Sequence, residues 1–212
     1  IHFLAEAAPG RGLAVDLATG NGQAAVDLAV HFDLVLASDL SAAQLAVATV
    51  HPRVRYLRHG AERLPLASGC ADLIVAAQAA HWFDLAAVNA EVMRVLRPGG
   101  VVAYFTYETL RVEPVFDAAL DRFYQEVIGP YWPQERRHVE SGYRSLEFPF
   151  PPLPAPAFEL VTEWTVQQLI DYLGTWSAVV RYRAVQGSDP LVPFQAEVVR
   201  QFRGLHQMDV AA

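Results

Sequence analysis

The residues best suited to bind a ligand lie in a short turn near the start of the chain. Asp16 stands in an apolar run that begins at Leu13, and Gly20 and Gly22 follow at alternate positions. Such a run is typical of a strand that is buried on both faces. Glycines let the backbone turn sharply and approach a ligand, and the next helix begins with free N–H groups. The segment therefore predicts a strand, a turn and a helix that hold a nucleotide-like cofactor.

The type of cofactor depends on Asp16. Residues 20–25 also match the dinucleotide pattern G-x-G-x-x-G/A, and an acidic residue, Asp39, follows about twenty positions later. A carboxylate at Asp16 would repel a pyrophosphate, but it would attract a cationic amino group. S-adenosylmethionine carries such an amino group and no phosphate. An NAD-dependent oxidoreductase and a non-catalytic S-adenosylmethionine-binding protein remain as alternatives.

The turn resembles motif I of the class I S-adenosylmethionine-dependent methyltransferases, in which an acid is followed by glycines at alternate positions. Ala18 departs from the pattern, because it stands where the family usually has its first glycine. The resemblance implies S-adenosylmethionine as cofactor and S-adenosylhomocysteine as product. The cofactor-binding residues that it implies in this turn are Asp16, Ala18, Gly20, Asn21, Gly22 and Gln23.

Two later loops are expected to contact the same cofactor. Residues 34–37 predict a second strand that leads to Asp39 and Leu40. An acid at the end of that strand can accept hydrogen bonds from both ribose hydroxyls; a helix-capping role is the alternative. The loop after the third strand contains Ala61 and Glu62, and the resemblance implies that this pair contacts the adenine ring.

The loop after the fourth strand contains the residues that could act on a methyl acceptor. Residues 71–76 predict that strand, and Gln78, which follows it, is assigned to the cofactor site. His81 could polarise or deprotonate an acceptor, because histidine titrates near neutral pH; a packed histidine is the alternative. Trp82 could line the acceptor site, and Asp84 is expected to cap the next helix.

The resemblance is sharper around this loop. Gln-Ala-Ala-His-Trp-Phe-Asp, with Gly-Ala-Glu before it and Leu-Arg-Pro-Gly-Gly after it, resembles the subfamily of trans-aconitate methyltransferases, which esterify small carboxylic acids. This implies an α/β, Rossmann-like class I methyltransferase fold, a three-layer αβα sandwich. The mostly parallel sheet would have seven strands, the last of them truncated, and an inserted helical and aromatic cap. We expect one methyltransferase domain over residues 1–212, with a cofactor-binding core at 13–106 and the cap at 129–156.

The second half of the chain is expected to bind the acceptor. Residues 114–128 predict an amphipathic helix, the proline-rich residues 148–156 predict an extended arm, and residues 158–164 alternate as a sixth strand would. The Trp-Pro-x-Glu-Arg run at residues 132–136 again resembles the subfamily. Arginines can bind a carboxylate through two parallel hydrogen bonds. The acceptor-binding candidates are Trp82, Tyr131, Trp132, Arg136, Arg137, Trp176 and Arg181.

Composition limits the class of protein. A net charge of −7, without a stripe of basic residues, disfavours nucleic acid as substrate. No apolar run approaches the roughly eighteen residues that span a membrane. The single cysteine, Cys70, excludes an internal disulfide framework and a cysteine metal cluster. We expect a cytoplasmic enzyme without a metal, a monomer or homodimer, that acts on a small molecule of anionic character. Because the chain starts at Ile1 rather than at Met, we expect a further native segment before it. Residues 204–212 end where the fold requires a final strand, so we also expect a truncated C-terminus.

Overall fold

The structure, a computed structural model, describes the chain up to residue 208 with the exception of residue 108. The described residues form two compact units. The core unit combines residues 1–107 with residues 137–156, and the helical unit combines residues 109–136 with residues 157–208. Within this part of the chain, no helix is both long and apolar enough to cross a membrane.

The core unit is built on a parallel sheet of five strands in the order β3-β2-β1-β4-β5. All four strand pairs are parallel, which confirms the Rossmann-like parallel sheet. The strands are β1 (Leu13–Leu17), β2 (Leu34–Asp39), β3 (Val54–Arg58), β4 (Ala71–Ala77) and β5 (Leu96–Phe105). The helices connected to them are α1 (His2–Ala7), α2 (Gln23–Ala29), α3 (Ala42–Ala46) and α4 (Leu85–Val95).

Helices cover both faces of this sheet, because side chains alternate across each strand. Ala14 and Val15 are successive residues of β1, and they belong to different hydrophobic clusters. The cluster of Ala14 includes Leu28 of α2, and the cluster of Val15 includes Val88, Val92 and Val95 of α4. The core unit is therefore layered as helix, sheet and helix, as the sequence predicts.

The expected strand count is wrong for the part of the chain that the structure describes, since the sheet has five strands rather than seven. Residues 158–164, predicted to form the sixth strand, adopt neither strand nor helix. The exposed fractions of Leu160 and Val161 are 83% and 82%. Alternation produces a strand only where a neighbouring strand supplies hydrogen bonds and a core covers one face. Among the described residues, no strand pairs with residues 158–164, and the side chains of Leu160 and Val161 are left largely exposed.

Residues 137–156, which we call the return segment, are part of the core unit. Within the segment, Val139 and Tyr143 are buried in the hydrophobic cluster of α4. The Asn89 amide of α4 donates to the carbonyl of Glu147 at 3.1 Å. The chain therefore leaves the core unit after β5 and comes back to pack against α4. Residues 129–136, the start of the predicted cap, lie in the helical unit.

The helical unit consists of helices packed on an apolar cluster. These are α5 (Pro114–Arg122), which continues as a π-helical turn over Phe123–Val127, then α7 (Val166–Gly174), α8 (Ser177–Gln186) and α9 (Leu191–Met208). A short helix, α6 (Arg136–Glu140), lies where the chain passes between the units. Pro114 occupies the first turn of α5, where its missing N–H costs nothing, and Thr165 and Gln168 form a capping box on α7.

Candidate functional site

The loops that follow the strands of a parallel sheet lie at one edge of it. Leu17 at the end of β1 pairs with Ser38 of β2, and Asp16 pairs with Val75 of β4. The turns after these strands are therefore neighbours. The N–H of Thr19, in the turn after β1, donates to the carbonyl of Ser38 at 2.9 Å. The edge that the sequence assigns to the cofactor is thus assembled from three strands.

The turn after β1 has the backbone that its glycines predict. Gly20 and Gly22 have φ angles of 59° and 88°, in the left-handed region where glycine carries no steric penalty. Ala18 shares that region with φ 52°. A non-glycine residue there is uncommon, and such residues cluster at functional sites. Ala18 therefore adopts the conformation that a glycine of motif I would adopt more easily.

Asp16 lies beneath this turn and is only 1% exposed. The Thr19 hydroxyl donates to Oδ2 at 2.5 Å, whereas Oδ1 has no hydrogen-bond partner among the described residues. Burial raises the pKa of Asp16 to about 7, and the charge of Asp39 adds to the rise. The Thr19 hydroxyl offsets part of this rise in pKa. The N–H of Ala25 also lowers the pKa because it lies near the carboxyl group, although it makes no hydrogen bond of normal geometry to Oδ1. A buried carboxyl oxygen without a partner fits the cationic amino group of S-adenosylmethionine.

Asp39 connects the glycine turn after β1 to the loop after β2. Its Oδ2 accepts the N–H of Gly20 at 2.8 Å, and its Oδ1 accepts the N–H of Ser41 at 2.7 Å. A carboxylate has about four acceptor sites, so both oxygens can also accept from a ribose. Asp39 therefore fixes the glycine turn, a role that the sequence does not reveal. Leu40, next along, is 68% exposed.

Tyr56 of β3 is a neighbour of the glycine turn that the sequence analysis misses. Its hydroxyl donates to the carbonyl of Thr49 at 2.7 Å. A Cβ at Gly22 would overlap the Tyr56 hydroxyl and ring. Gly22 thus leaves the space that the tyrosine fills. At the start of α2, Asn21 and Gln23 are exposed.

Two side chains of α4 fix the loop assigned to adenine. Glu91 accepts the N–H of Leu64 at 2.5 Å, and Arg94 binds Glu91 at 2.6 Å while donating to loop carbonyls. The hydrogen bond from Arg94 lowers the pKa of Glu91. Ala61 is buried and Glu62 is exposed. The local sequence indicates this support only through an acidic and a basic residue three positions apart on one helix.

Gln78 connects the ends of β4 and β5. Its φ is 55°, its N–H donates to the carbonyl of Phe105 at 2.8 Å, and the Thr106 hydroxyl donates to Oε1 of its side chain. The backbone and the amide of Gln78 are therefore both held in place. The strained conformation supports its assignment to the site.

The acceptor loop then forms a short 3-10 turn over Ala80–Trp82. Nδ1 of His81 lies 2.8 Å from the hydroxyl of Tyr143, in the return segment. Trp82 is 55% exposed, and its ring centroid is 4.8 Å from that of His81. Asp84 accepts the N–H of Ala87 at 3.2 Å and so caps α4, which confirms the predicted cap. Tyr143 is not among the residues that the sequence predicts for this loop.

The predicted acceptor-binding residues are divided between the two units. In the helical unit, the Arg136 guanidinium lies 4.5 Å from the ring centroid of Trp132, and its Nε donates to the Tyr124 hydroxyl at 2.9 Å. Trp176 packs against Trp132 with centroids 5.6 Å apart. We call these four residues the aromatic cluster. Its neighbour, the Tyr131 hydroxyl, accepts from Gln186 at 2.6 Å.

The other candidates lie outside the aromatic cluster. Arg181 is exposed on α8, and no hydrogen bond or ion pair joins it to the cluster in the part of the chain that the structure describes. Trp82 and Arg137 belong to the core unit, where Arg137 is exposed.

Comparisons with known proteins agree with this geometry. A family model described as a methyltransferase domain matches residues 15–104. A candidate methyltransferase of Dictyostelium discoideum is 30% identical over 196 residues, which cover 91% of this chain and 74% of that protein. A solved structure of a candidate type II methyltransferase from Anaeromyxobacter dehalogenans is 48% identical with a TM-score of 0.84, covering 91% of this chain and 82% of that one. A malonyl-[acyl-carrier protein] O-methyltransferase of Pectobacterium atrosepticum is 45% identical over 74 residues, 34% of this chain and 29% of that protein.

The family model includes the whole cofactor side of the site, from β1 to β5. The similarity to the Dictyostelium protein and to the solved structure extends over most of the chain. These matches disfavour the alternative of an NAD-dependent oxidoreductase. The buried Asp16, the glycine turn and the matches agree: the chain belongs to the S-adenosylmethionine-dependent methyltransferases, and S-adenosylmethionine is its cofactor.

Proposed function

We propose that this methyltransferase forms a methyl ester on a carboxylate of a small anionic molecule. The observation that carries the proposal is that both titratable side chains of the acceptor loop, residues 78–84, are already engaged in hydrogen bonds. His81 is hydrogen-bonded to Tyr143, and Asp84 caps α4. Phenol and amine acceptors lose a proton during methylation and benefit from a general base. A carboxylate is already ionised at neutral pH and needs none.

The cofactor supplies an electrophilic methyl group on a positively charged sulfur. In this proposal Asp16 binds the amino group, Asp39 accepts the ribose hydroxyls, and Ala61 with Glu62 contacts the adenine. These residues accelerate the reaction by positioning, because the leaving thioether needs no protonation. The hydrogen bonds that hold Asp39 and the adenine loop support this, since they fix both contacts before the cofactor binds.

His81 then has the role of orienting the acceptor rather than deprotonating it. An imidazole N–H can donate to a carboxylate oxygen, and the exposed ring of Trp82 provides an apolar wall beside it. The name of the Pectobacterium relative specifies O-methylation of malonyl-[acyl-carrier protein], and a malonyl group carries a free carboxylate. The resemblance to enzymes that esterify small carboxylic acids points to the same acceptor class.

The aromatic cluster of the helical unit has the donor groups of an anion-binding site. Arg136 is held through Nε by Tyr124 and by stacking on Trp132. Within the described residues, Arg136 is seen to donate from Nε and not from its two terminal nitrogens, and the buried Nε1 of Trp132 has no hydrogen-bond partner. Both groups are donors only. We propose that they bind an anionic group, for which a planar guanidinium is well suited.

The test is to incubate the chain with methyl-labelled S-adenosylmethionine and a panel of mono- and dicarboxylates. Each acid is paired with its primary amide as a control. We expect label in products that release volatile methanol on mild alkali, as methyl esters do, and none with the amides. Alkali-stable products from phenols or amines, with no ester, would refute the carboxylate acceptor. Cofactor binding without any turnover would favour the non-catalytic alternative.

A further inference from the structure

The return segment places a tyrosine against the histidine of the acceptor loop. The Tyr143 hydroxyl is 2.8 Å from Nδ1 of His81, and the ring centroids are 5.9 Å apart. Both residues belong to the core unit, although 62 positions separate them in the chain. Folding thus brings to His81 a polar group that its local sequence does not contain.

The backbone holds Tyr143 in an unusual conformation. Its φ is 61°, following 57° at Gly142, and its N–H donates to the carbonyl of His138 at 2.8 Å. A bulky residue persists in the left-handed region only where its surroundings determine it. Those surroundings are the hydrophobic cluster of α4, in which Tyr143 is 9% exposed. The position of the hydroxyl is therefore fixed by both the backbone and the packed ring.

We propose that Tyr143 is a positioning residue of the methyl-transfer site, which fixes the ring and the tautomer of His81. This rests on the proposed role of His81 in orienting a carboxylate. A hydroxyl that donates to Nδ1 keeps the proton of neutral imidazole on Nε2, whereas the reverse polarity would make Nε2 an acceptor. A carboxylate oxygen needs a donor, so the proposed function selects the first arrangement. The strain at Tyr143 is then the cost of holding His81 in one state.

Tyr104 offers a matched control. Its hydroxyl donates to Oδ1 of Asn89 at 3.0 Å, and its ring packs against the same hydrophobic cluster as Tyr143. Tyr104→Phe and Tyr143→Phe each remove one hydrogen-bonded hydroxyl from a packed ring. Only Tyr143→Phe removes a contact with His81. A purely structural role of the hydroxyl predicts equal effects of the two changes.

The experiment combines nitrogen NMR and kinetics on the full chain saturated with S-adenosylhomocysteine or S-adenosylmethionine. Histidine is labelled with ¹⁵N, and the His81 signals are assigned by their loss in His81→Asn. We expect the Nε2–H tautomer in the wild type and in Tyr104→Phe, and a mixture of tautomers in Tyr143→Phe. With a carboxylate acceptor, kcat should fall at least tenfold in Tyr143→Phe alone. In the His81→Asn background, Tyr143→Phe should cause no further loss.

Three results would each overturn this inference. The first is an Nδ1–H tautomer of His81 in the wild type, and the second is unchanged His81 signals and kcat in Tyr143→Phe. The third is a double variant whose loss of kcat equals the combined losses of His81→Asn and Tyr143→Phe. Failure of the proposed function is recognised separately, because the NMR readout needs no acceptor. If the wild type shows the Nε2–H tautomer and Tyr143→Phe the mixture, but the wild type esterifies no acid, the carboxylate acceptor is refuted and the pairing of Tyr143 with His81 stands.

Discussion

The change Asp16→Asn should make the cofactor-free protein more stable while weakening cofactor binding. Asp16 is almost completely buried and its pKa is raised from 3.8 to about 7 by that burial. Asparagine has nearly the same shape, keeps an oxygen that can accept from Thr19, and carries no charge at any pH. The variant therefore separates the cost of the buried charge from the packing of the side chain.

The size of the stability effect follows from the two pKa values. Below about pH 3.8 Asp16 is protonated in both the folded and the unfolded chain. Between that pH and about 7 the folded state holds the extra proton, so the free energy of unfolding falls as pH rises. A difference of about three pKa units corresponds to roughly 4 kcal/mol, fully lost above pH 7. Asp16→Asn should match the wild type near pH 4 and exceed it by up to about 4 kcal/mol at pH 8.

Cofactor binding should depend on pH in the opposite direction. The amino group of the cofactor favours the ionised form of Asp16, so binding below pH 7 releases a proton. The affinity for S-adenosylhomocysteine should then rise about tenfold per pH unit from about pH 5 to pH 7 and be constant above that. At pH 8, Asp16→Asn should lose a charge-assisted hydrogen bond of about 1.5–3 kcal/mol, or roughly 10- to 150-fold in affinity.

Denaturant unfolding from pH 4 to pH 9 measures the free energy of unfolding, and calorimetric titration measures the affinity for S-adenosylhomocysteine. Titrations in two buffers of different ionisation enthalpy count the protons released. We expect close to one proton at pH 6 and close to none at pH 8.5 in the wild type, and none from this site in Asp16→Asn. A variant that is less stable than the wild type at pH 8, or that keeps the same pH slope of binding, would refute the reasoning.

Three further predictions concern other parts of the site. Gly22→Ala should weaken S-adenosylhomocysteine binding at least tenfold by calorimetry, because the added Cβ would overlap Tyr56. The control is Gly69→Ala, which also has a positive φ but whose added Cβ has no atom within 4 Å, and this variant should bind normally. Glu91→Gln should lower the free energy of unfolding by about 1–3 kcal/mol at pH 7; since its pKa is lowered in the fold, the loss should shrink in acid below its ordinary pKa, and a pH-independent loss would contradict this. Arg136→Lys should weaken the binding of a small dicarboxylate about tenfold by calorimetry, because lysine cannot form two parallel hydrogen bonds, and an unchanged affinity would remove Arg136 from anion recognition.

The sequence predicts those parts of the site that depend on neighbours along the chain. The β1 strand, the glycine turn and α2 follow from one short apolar run and the conformational freedom of Gly20 and Gly22. The cap at Asp84 is equally local, because its side chain binds the N–H of Ala87, three residues later. These predictions are confirmed because no distant contact decides them.

The predictions that fail, and the contacts that are missed, depend on distant partners. Residues 158–164 have the alternation of a strand, but a strand also needs a neighbour, and their local sequence does not say whether one is present. Tyr143 meets His81 across 62 positions, and Glu91 meets the adenine loop across 27. Contacts at such separations leave no periodic signal in the sequence. The positioning of the cofactor and acceptor loops is therefore visible only in the folded chain.

The strained backbone positions lie close to the residues assigned to the cofactor and the acceptor. Among the described residues, the non-glycine residues with positive φ are Ala18, Gln78 and Tyr143. The first lies in the turn over Asp16, the second at the end of β4, and the third against His81. Each of them costs stability, and each lies where a loop must hold one geometry. Methyl transfer from a sulfonium gains its acceleration from positioning, so a site of this kind needs fixed loops more than it needs titrating groups. The concentration of strain around Asp16 and His81, rather than in the helices that cover the sheet, is what that requirement predicts.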